Sequence, residues 1–251
     1  LYKYIHDQTL RYANMGRTPV EIAEIIKLPE TLSNEFYNRD YYGTVNHNVK
    51  AIYDMYFGGW WDGNPANLYK LPPVEAAKNY VEFMGGEKEI IKKAKKSFNK
   101  GDYRWTVEVL NHVIFMNPNN KEARELSADS MEQLGYQAES GPWRAYFLTG
   151  AQELRNGVVK LPTPNTVSKD MVSGLPILNF FDYLAVRINP EKAKGLNVKI
   201  NIKFTDTDEN YSLILKNSVL NSYDKLQRNS DGEIILKRET LNKILLGEST
   251  F

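Results

Sequence analysis

The chain holds 251 residues, 42% hydrophobic and 25% charged, with 32 Lys+Arg against 31 Asp+Glu. This globular composition excludes wholesale disorder, and a net charge of +1 leaves no field to hold a polyanion, which argues against a nucleic-acid partner. No apolar run approaches the ~20 residues that a membrane-spanning helix needs. Cys is absent, which excludes disulfides and thiolate chemistry and fits reducing and oxidising compartments alike.

The chain opens at Leu1 inside a helical pattern, without a Met or a signal-peptide profile, and reads as a piece of something longer. Residues 2–15 form a helix that Gly16 closes. Thr18-Pro19-Val20-Glu21 is a compact start signal. Thr18 caps, Pro19 fits the first helical position, Glu21 closes the capping box, and Leu28-Pro29 ends the helix. Residues 36–67 hold nine aromatic rings and the imidazole of His47, a density that means core packing, an interface or a pocket lining. Within them a helix is expected from about Asn48 to Met55, and Gly58-Gly59 breaks it.

From Pro73 to Gln137 helix follows helix: Val74–Met84, Glu87–Asn99, Tyr103–Met116 and Lys121–Leu134. The spacing of Gly101, Tyr103, Pro118, Ala123 and Gly135 over 87–137 resembles a tetratricopeptide-type (TPR-like) helix pair, which cannot bury its own face alone. Residues 139–144 read as a break before a short helix, Ala145–Arg155.

Residues 156–168 carry two prolines, a glycine and small polar residues, and read as a linker between an all-α domain at 1–155 and an α+β domain at 169–251. The second domain begins with a helix at Met171–Val186. Asn197–Phe204 alternates cleanly, with Val198, Ile200, Ile202 and Phe204 on one face and Lys199, Asn201 and Lys203 on the other. A hairpin at Asp206–Asn210 leads to further short antiparallel strands at Tyr211–Lys216, Asn217–Asp224 and Glu233–Lys237, and a helix at Arg238–Leu246 follows.

Only His6, His47 and His112 are available as imidazoles, and no two have a metal-ligand spacing, so no metal ligand is assigned within the chain. His47 is the most informative. It sits in Gly43-Thr44-Val45-Asn46-His47-Asn48-Val49-Lys50, at the start of a helix, where free N–H groups suit an anion. It is either a proton donor to a leaving oxygen or an anion contact, or else Asn46 or His47 simply caps the helix. His6 beside Asp7 reads as a helix-surface pair, and His112 as a semi-buried, hydrogen-bonded core residue.

Several segments together resemble the C-terminal half of the alkyl/aryl sulfatases of the metallo-β-lactamase superfamily: Leu1–Gly16, Tyr42–Asn48 with Trp61–Pro65, Lys100–Asn111, Leu134–Arg144 and residues 179–205. The resemblance implies a dimerisation domain followed by a C-terminal domain like the sterol carrier proteins (SCP2-like), and a parent that hydrolyses alkyl sulfates such as dodecyl sulfate. It also implies two zinc ions, held by an N-terminal domain that is missing here. The third domain is expected to stop before its closing strand and helix, so that both ends are cut and the isolated piece is inactive. By resemblance His47 reaches the sulfate pocket as sulfate contact or proton donor, with Asn46, Lys50, Tyr53 and Tyr56 as substrate-binding residues. Expected partners are a second copy of the chain and an alkyl sulfate or fatty-acyl molecule enclosed by the C-terminal domain. The competing expectation is a stand-alone lipid- or sterol-binding module with a helical adaptor. The compartment stays open; a periplasmic or secreted location would follow if the parent carries a signal peptide.

Overall fold

The structure is a computed structural model that describes residues 1–162 and 168–250. The chain divides into two units, Leu1–Lys160 and Leu161–Phe251. Much of the expected linker, residues 163–167, lies outside the described residues.

The first unit is helical. Helix α1 (Tyr2–Ala13) is followed by Gly16 at φ +78°, a left-handed turn that suits a residue without Cβ. Helix α2 (Pro19–Ile25) starts with the expected capping box. Thr18 Oγ accepts from the Glu21 N–H at 3.4 Å, and the Glu21 carboxylate accepts from the Thr18 N–H at 2.9 Å. After the one-turn α3 (Glu30–Ser33) comes α4 (Val45–Phe57), three residues longer at its start than the spacing predicted. Its cap is Thr44, whose Oγ accepts from the His47 N–H at 2.9 Å, so neither Asn46 nor His47 is the capping residue. Ile5, Ile22, Ala23, Ile26 and Val49 bury one core that joins α1, α2 and α4.

Helices α5 (Pro73–Phe83), α6 (Glu87–Asn99), α7 (Tyr103–Met116) and α8 (Lys121–Gln137) share a second core, centred on Leu110 and Val113. The Glu87 carboxylate accepts from the side-chain amides of Asn117 and Asn120, which ties the start of α6 to the α7–α8 turn. Helix α9 (Gly141–Asn156) begins four residues before the expected Ala145. The Gly141-Pro142 pair that looked like a break is instead its first turn, because proline has no N–H to lose there and Ser140 Oγ accepts from the Trp143 N–H at 3.3 Å. At the far end the Arg155 guanidinium bridges Glu125, Asp129 and Glu132 of α8.

The second unit is a small mixed sheet with helices. The single helix expected over Met171–Val186 is two, α10 (Lys169–Gly174) and α11 (Ile177–Ala185). Pro176 separates them, since its ring disfavours helix at the preceding residue and its nitrogen has no hydrogen to donate. Strands β1 (Asn197–Phe204), β2 (Glu209–Lys216), β3 (Val219–Tyr223) and β4 (Gly232–Leu236) are ordered β3-β2-β1-β4, and α12 (Arg238–Leu245) follows. The hairpins are antiparallel as expected, but β4 runs parallel to β1, with Ile202 opposite Ile234. The reason is the connection from β3 to β4, which passes over the sheet face opposite the core. There Asn201 accepts from the Gln227 N–H at 2.9 Å and donates to Ser230 Oγ at 3.1 Å. Asn201 is therefore buried, although it shares its strand face with Lys199 and Lys203. The other face packs Ile202, Phe204 and Tyr211 against Ile177 and Phe181 of α11 and Leu241 of α12.

Candidate functional site

The N-terminal turns of α4 and α9 meet. Ser140, the cap of α9, donates its hydroxyl to the Tyr42 carbonyl at 2.6 Å, and the Gly141 N–H donates to the Tyr41 carbonyl at 2.9 Å. These bonds hold α9 on the loop that leads into α4 and bring Trp143 against His47. The indole Nε1–H donates to His47 Nδ1 at 3.4 Å, with the rings edge-on at 69° and their centroids 6.3 Å apart. Indole nitrogen only donates, so His47 Nδ1 accepts and the ring proton is assigned to Nε2.

Lys50, one turn along α4, places Nζ 5.9 Å from the centre of the same indole and donates to Asn46 Oδ1 at 2.7 Å. Asn46 in turn donates to the Ala23 carbonyl at 3.3 Å, which fixes its amide. One indole thus engages both His47 and Lys50, giving a fixed N–H donor and a cation on the first two turns of a helix, groups suited to a compact anion.

Beside Asn46 lies a cavity of about 370 Å³, whose polar lining includes Lys27, Asn38, Arg39, Asp40 and Glu139. Asp40 accepts from the Val45 N–H at 3.1 Å. Burial, reinforced by the nearby Glu139 charge, pushes its carboxyl above the ordinary 3.8 despite that bond. Arg39 forms an ion pair with Glu139.

Of the five predicted site residues the structure brings together Asn46, His47 and Lys50. The other two have different partners, on α1 and in the first core. Tyr56 is hydrogen-bonded to His6 Nε2 at 2.8 Å, with His6 Nδ1 2.9 Å from Asp7, and Tyr53 packs against the first core and stacks on Phe57 with centroids 4.9 Å apart. His112 lies against Tyr80, ring centroids 4.5 Å apart. Among the described residues no three His, Asp or Glu side chains converge as a metal site. The resemblance places its two zinc ions in a domain outside these residues, and none of the residues here is assigned as a ligand. Trp143, which the sequence does not single out, is the residue that joins His47 and Lys50. Its only signal was the Ser140-Gly141-Pro142-Trp143 run, which is a helix start when read as cap, then proline in the first turn.

Comparison with known proteins gives a consistent picture. Residues 18–157 match the family model described as alkyl sulfatase dimerisation, and residues 165–251 match that described as alkyl sulfatase C-terminal. The chain is 52% identical over its whole length to a linear primary-alkylsulfatase of Pseudomonas sp., of which it covers 37%. It is 46% identical, again over its whole length, to an alkyl/aryl-sulfatase of Saccharomyces cerevisiae, of which it covers 38%. The solved structure of a stereoselective inverting sec-alkylsulfatase from Pseudomonas sp. superposes with a TM-score of 0.90 at 42% identity, over 99% of this chain and 39% of that one. The chain therefore spans less than two-fifths of the length of these relatives. With both regions matched in order, it belongs to the alkyl sulfatase family, of which it carries the dimerisation and C-terminal regions.

Proposed function

We propose that this chain is the dimerising and C-terminal part of a zinc-dependent alkyl sulfatase that hydrolyses primary alkyl sulfates such as dodecyl sulfate, and that it is inactive by itself. In this reading the zinc ions and the attacking water belong to sequence outside these 251 residues, in a metallo-β-lactamase-type domain, and no step of hydrolysis is assigned to a metal here. The chain supplies one wall of the sulfate pocket. His47 Nε2–H donates to a sulfate oxygen, the Lys50 ammonium offsets the ester's negative charge, and Asn46 orients Lys50.

The observation that carries this assignment is the Trp143 Nε1–H bond to His47 Nδ1. It leaves the Nε2 proton as the one the imidazole can offer outward. Contact with the sulfate uses that proton in place. Acid catalysis by an imidazolium would instead need a second proton on Nδ1, facing the indole donor, so the contact role is the better supported of the two. Tyr56 contributes by tying α4 to α1 through its bond to His6, and Tyr53 by packing on the core that joins α1, α2 and α4.

The first unit forms a homodimer in this reading, with a TPR-like helix pair within α6–α8. The second is a carrier-like domain that accommodates the alkyl chain. Support for the latter is that Leu178, Tyr183 and Val186, on and just after α11, remain exposed while Ile177 and Phe181 of the same helix fill the core.

The test is turnover of dodecyl sulfate by the full parent polypeptide, with and without His47→Ala. A parent that hydrolyses the ester and is crippled by His47→Ala supports the assignment. Wild-type turnover in the variant overturns the role of His47. A parent that binds dodecyl chains but never hydrolyses the sulfate, whatever zinc is supplied, overturns the enzyme reading in favour of a carrier.

A further inference from the structure

The segment joining α4 to α5 is folded on itself and exposed at the same time. Asp62 accepts from the Asn64 N–H at 3.0 Å and from the Asn67 side-chain amide at 2.5 Å, and Trp61 Nε1–H donates to the Asn64 carbonyl at 2.8 Å. Asn64 also accepts from the Ala66 N–H at 3.0 Å, closing a tight turn at Pro65. These bonds are satisfied within the loop, so the loop does not need its outer side chains for its own shape. Those side chains are large and apolar. Trp60 is 80% exposed, Tyr69 98% and, at the end of α5, Phe83 92%, with Phe57 and Tyr80 about half exposed.

A soluble protein rarely leaves that much aromatic surface wet, and a preorganised loop bearing outward Trp and Tyr is the form that binding surfaces take, because little entropy remains to be lost on association. At roughly 200 Å² per ring, the loop's own Phe57, Trp60 and Tyr69 offer on the order of 450 Å², about half of the ~800 Å² that each partner contributes to a stable interface. Charge does not oppose self-association either. Residues 57–83 carry Asp62, Glu75 and Glu82 against Lys70 and Lys78, and a twofold interface sets such a patch against its own copy without strong repulsion. The whole segment lies inside the residues matched by the dimerisation model.

We infer that the aromatic loop 57–71 is the surface by which this chain grips a second copy of itself, with Trp60 and Tyr69 as its anchors. This rests on the homodimer reading above and adds the surface. It also accounts for the internal bonding of Asp62, Asn64 and Asn67: they hold the anchors in place for the partner.

Sedimentation equilibrium on the 251-residue chain tests it. The expected result is a dimer for the wild type and at least about 100-fold weaker dimerisation for the Trp60→Ala/Tyr69→Ala double variant. Phe36→Ala/Tyr37→Ala, on the other exposed aromatic loop, should dimerise normally. A wild-type dimer whose dissociation is unchanged in the double variant overturns the inference and leaves the homodimer reading standing. A wild-type chain that is monomeric at every concentration overturns both. Should the double variant unfold, Tyr69→Cys gives the only thiol in the chain. Its maleimide labelling should slow as protein concentration rises through the dimer range, and labelling that is fast and concentration-independent in a dimeric sample refutes the inference.

Discussion

Trp143 donates its indole N–H to Nδ1 of His47 across ninety-six residues of sequence. The bond selects a tautomer and aims the ring, and it exists because Ser140 and Gly141 fasten the start of α9 to the loop before α4. In the proposed parent enzyme His47→Ala should lower kcat/KM for dodecyl sulfate by on the order of 100-fold, the usual worth of one well-placed donor to a developing or bound oxyanion. Trp143→Phe keeps an aromatic ring at this position and removes the N–H together with part of the indole's volume. It should cost about fivefold to tenfold, the scale of a ~1 kcal/mol hydrogen bond. Nitrogen-15 correlation spectra should show the Nε2–H tautomer for His47 in the wild type and a mixture in Trp143→Phe; an unchanged tautomer would remove Trp143 from the site.

Gly135 decides a question of sign. It lies within α8, where replacing glycine by alanine ordinarily gains up to ~1 kcal/mol. A Cβ at this position would fall 2.8 Å from Leu148 Cδ2 and 2.9 Å from its Cγ, so α9 would have to move or Leu148 to change rotamer. Gly135→Ala is expected to destabilise the first unit by about 1–3 kcal/mol, measured as a lower urea midpoint.

Leu110 is fully buried at the centre of the α5–α8 core. Leu110→Ala should cost about 2–5 kcal/mol, from lost burial plus the cavity left behind. The same denaturation experiment reads it, and a loss below ~1 kcal/mol would mean that this core is looser than its packing indicates.

Asp206 caps α12 from the β1–β2 turn. Its two oxygens accept from the Arg238 N–H at 2.6 Å and the Glu239 N–H at 3.2 Å, and the Arg238 bond above all holds its carboxyl below the ordinary 3.8. A group whose folded value is depressed stabilises the fold fully above its unfolded value and loses that contribution as pH falls through the folded one. Asp206→Ala should therefore lower the unfolding midpoint of the second unit at pH 6. The gap to wild type should narrow steadily as the pH is taken below about 3.8, and a gap that stays constant to pH 2 would count against the cap.

Local signals carried much of this molecule. The Thr18-Glu21 box, the exact bounds of α6, α7 and β1, and the division into helical and mixed regions were readable because each rests on contacts within a few residues or on a simple period. The misreadings have local causes too. Pro142 stands in a first helical turn although the run 139–144 resembles a break, and Pro176 divides an apolar run that resembles one continuous helix. The direction of β4 was harder, since parallel and antiparallel pairing of a short edge strand differ only in how the preceding connection travels.

What the sequence determined by itself was the identity of the elements and the family resemblance, because periodicity, caps and shared segments are properties of the chain read in order. What only the tertiary structure decided was which side chains meet. Tyr56, on the same helix as His47, belongs with His6, while Trp143, from another helix, belongs with His47. Helical spacing states the face on which a residue stands, but the neighbour it finds there is set by how distant helices pack, and that packing is a collective property of the cores around Val49 and Leu110.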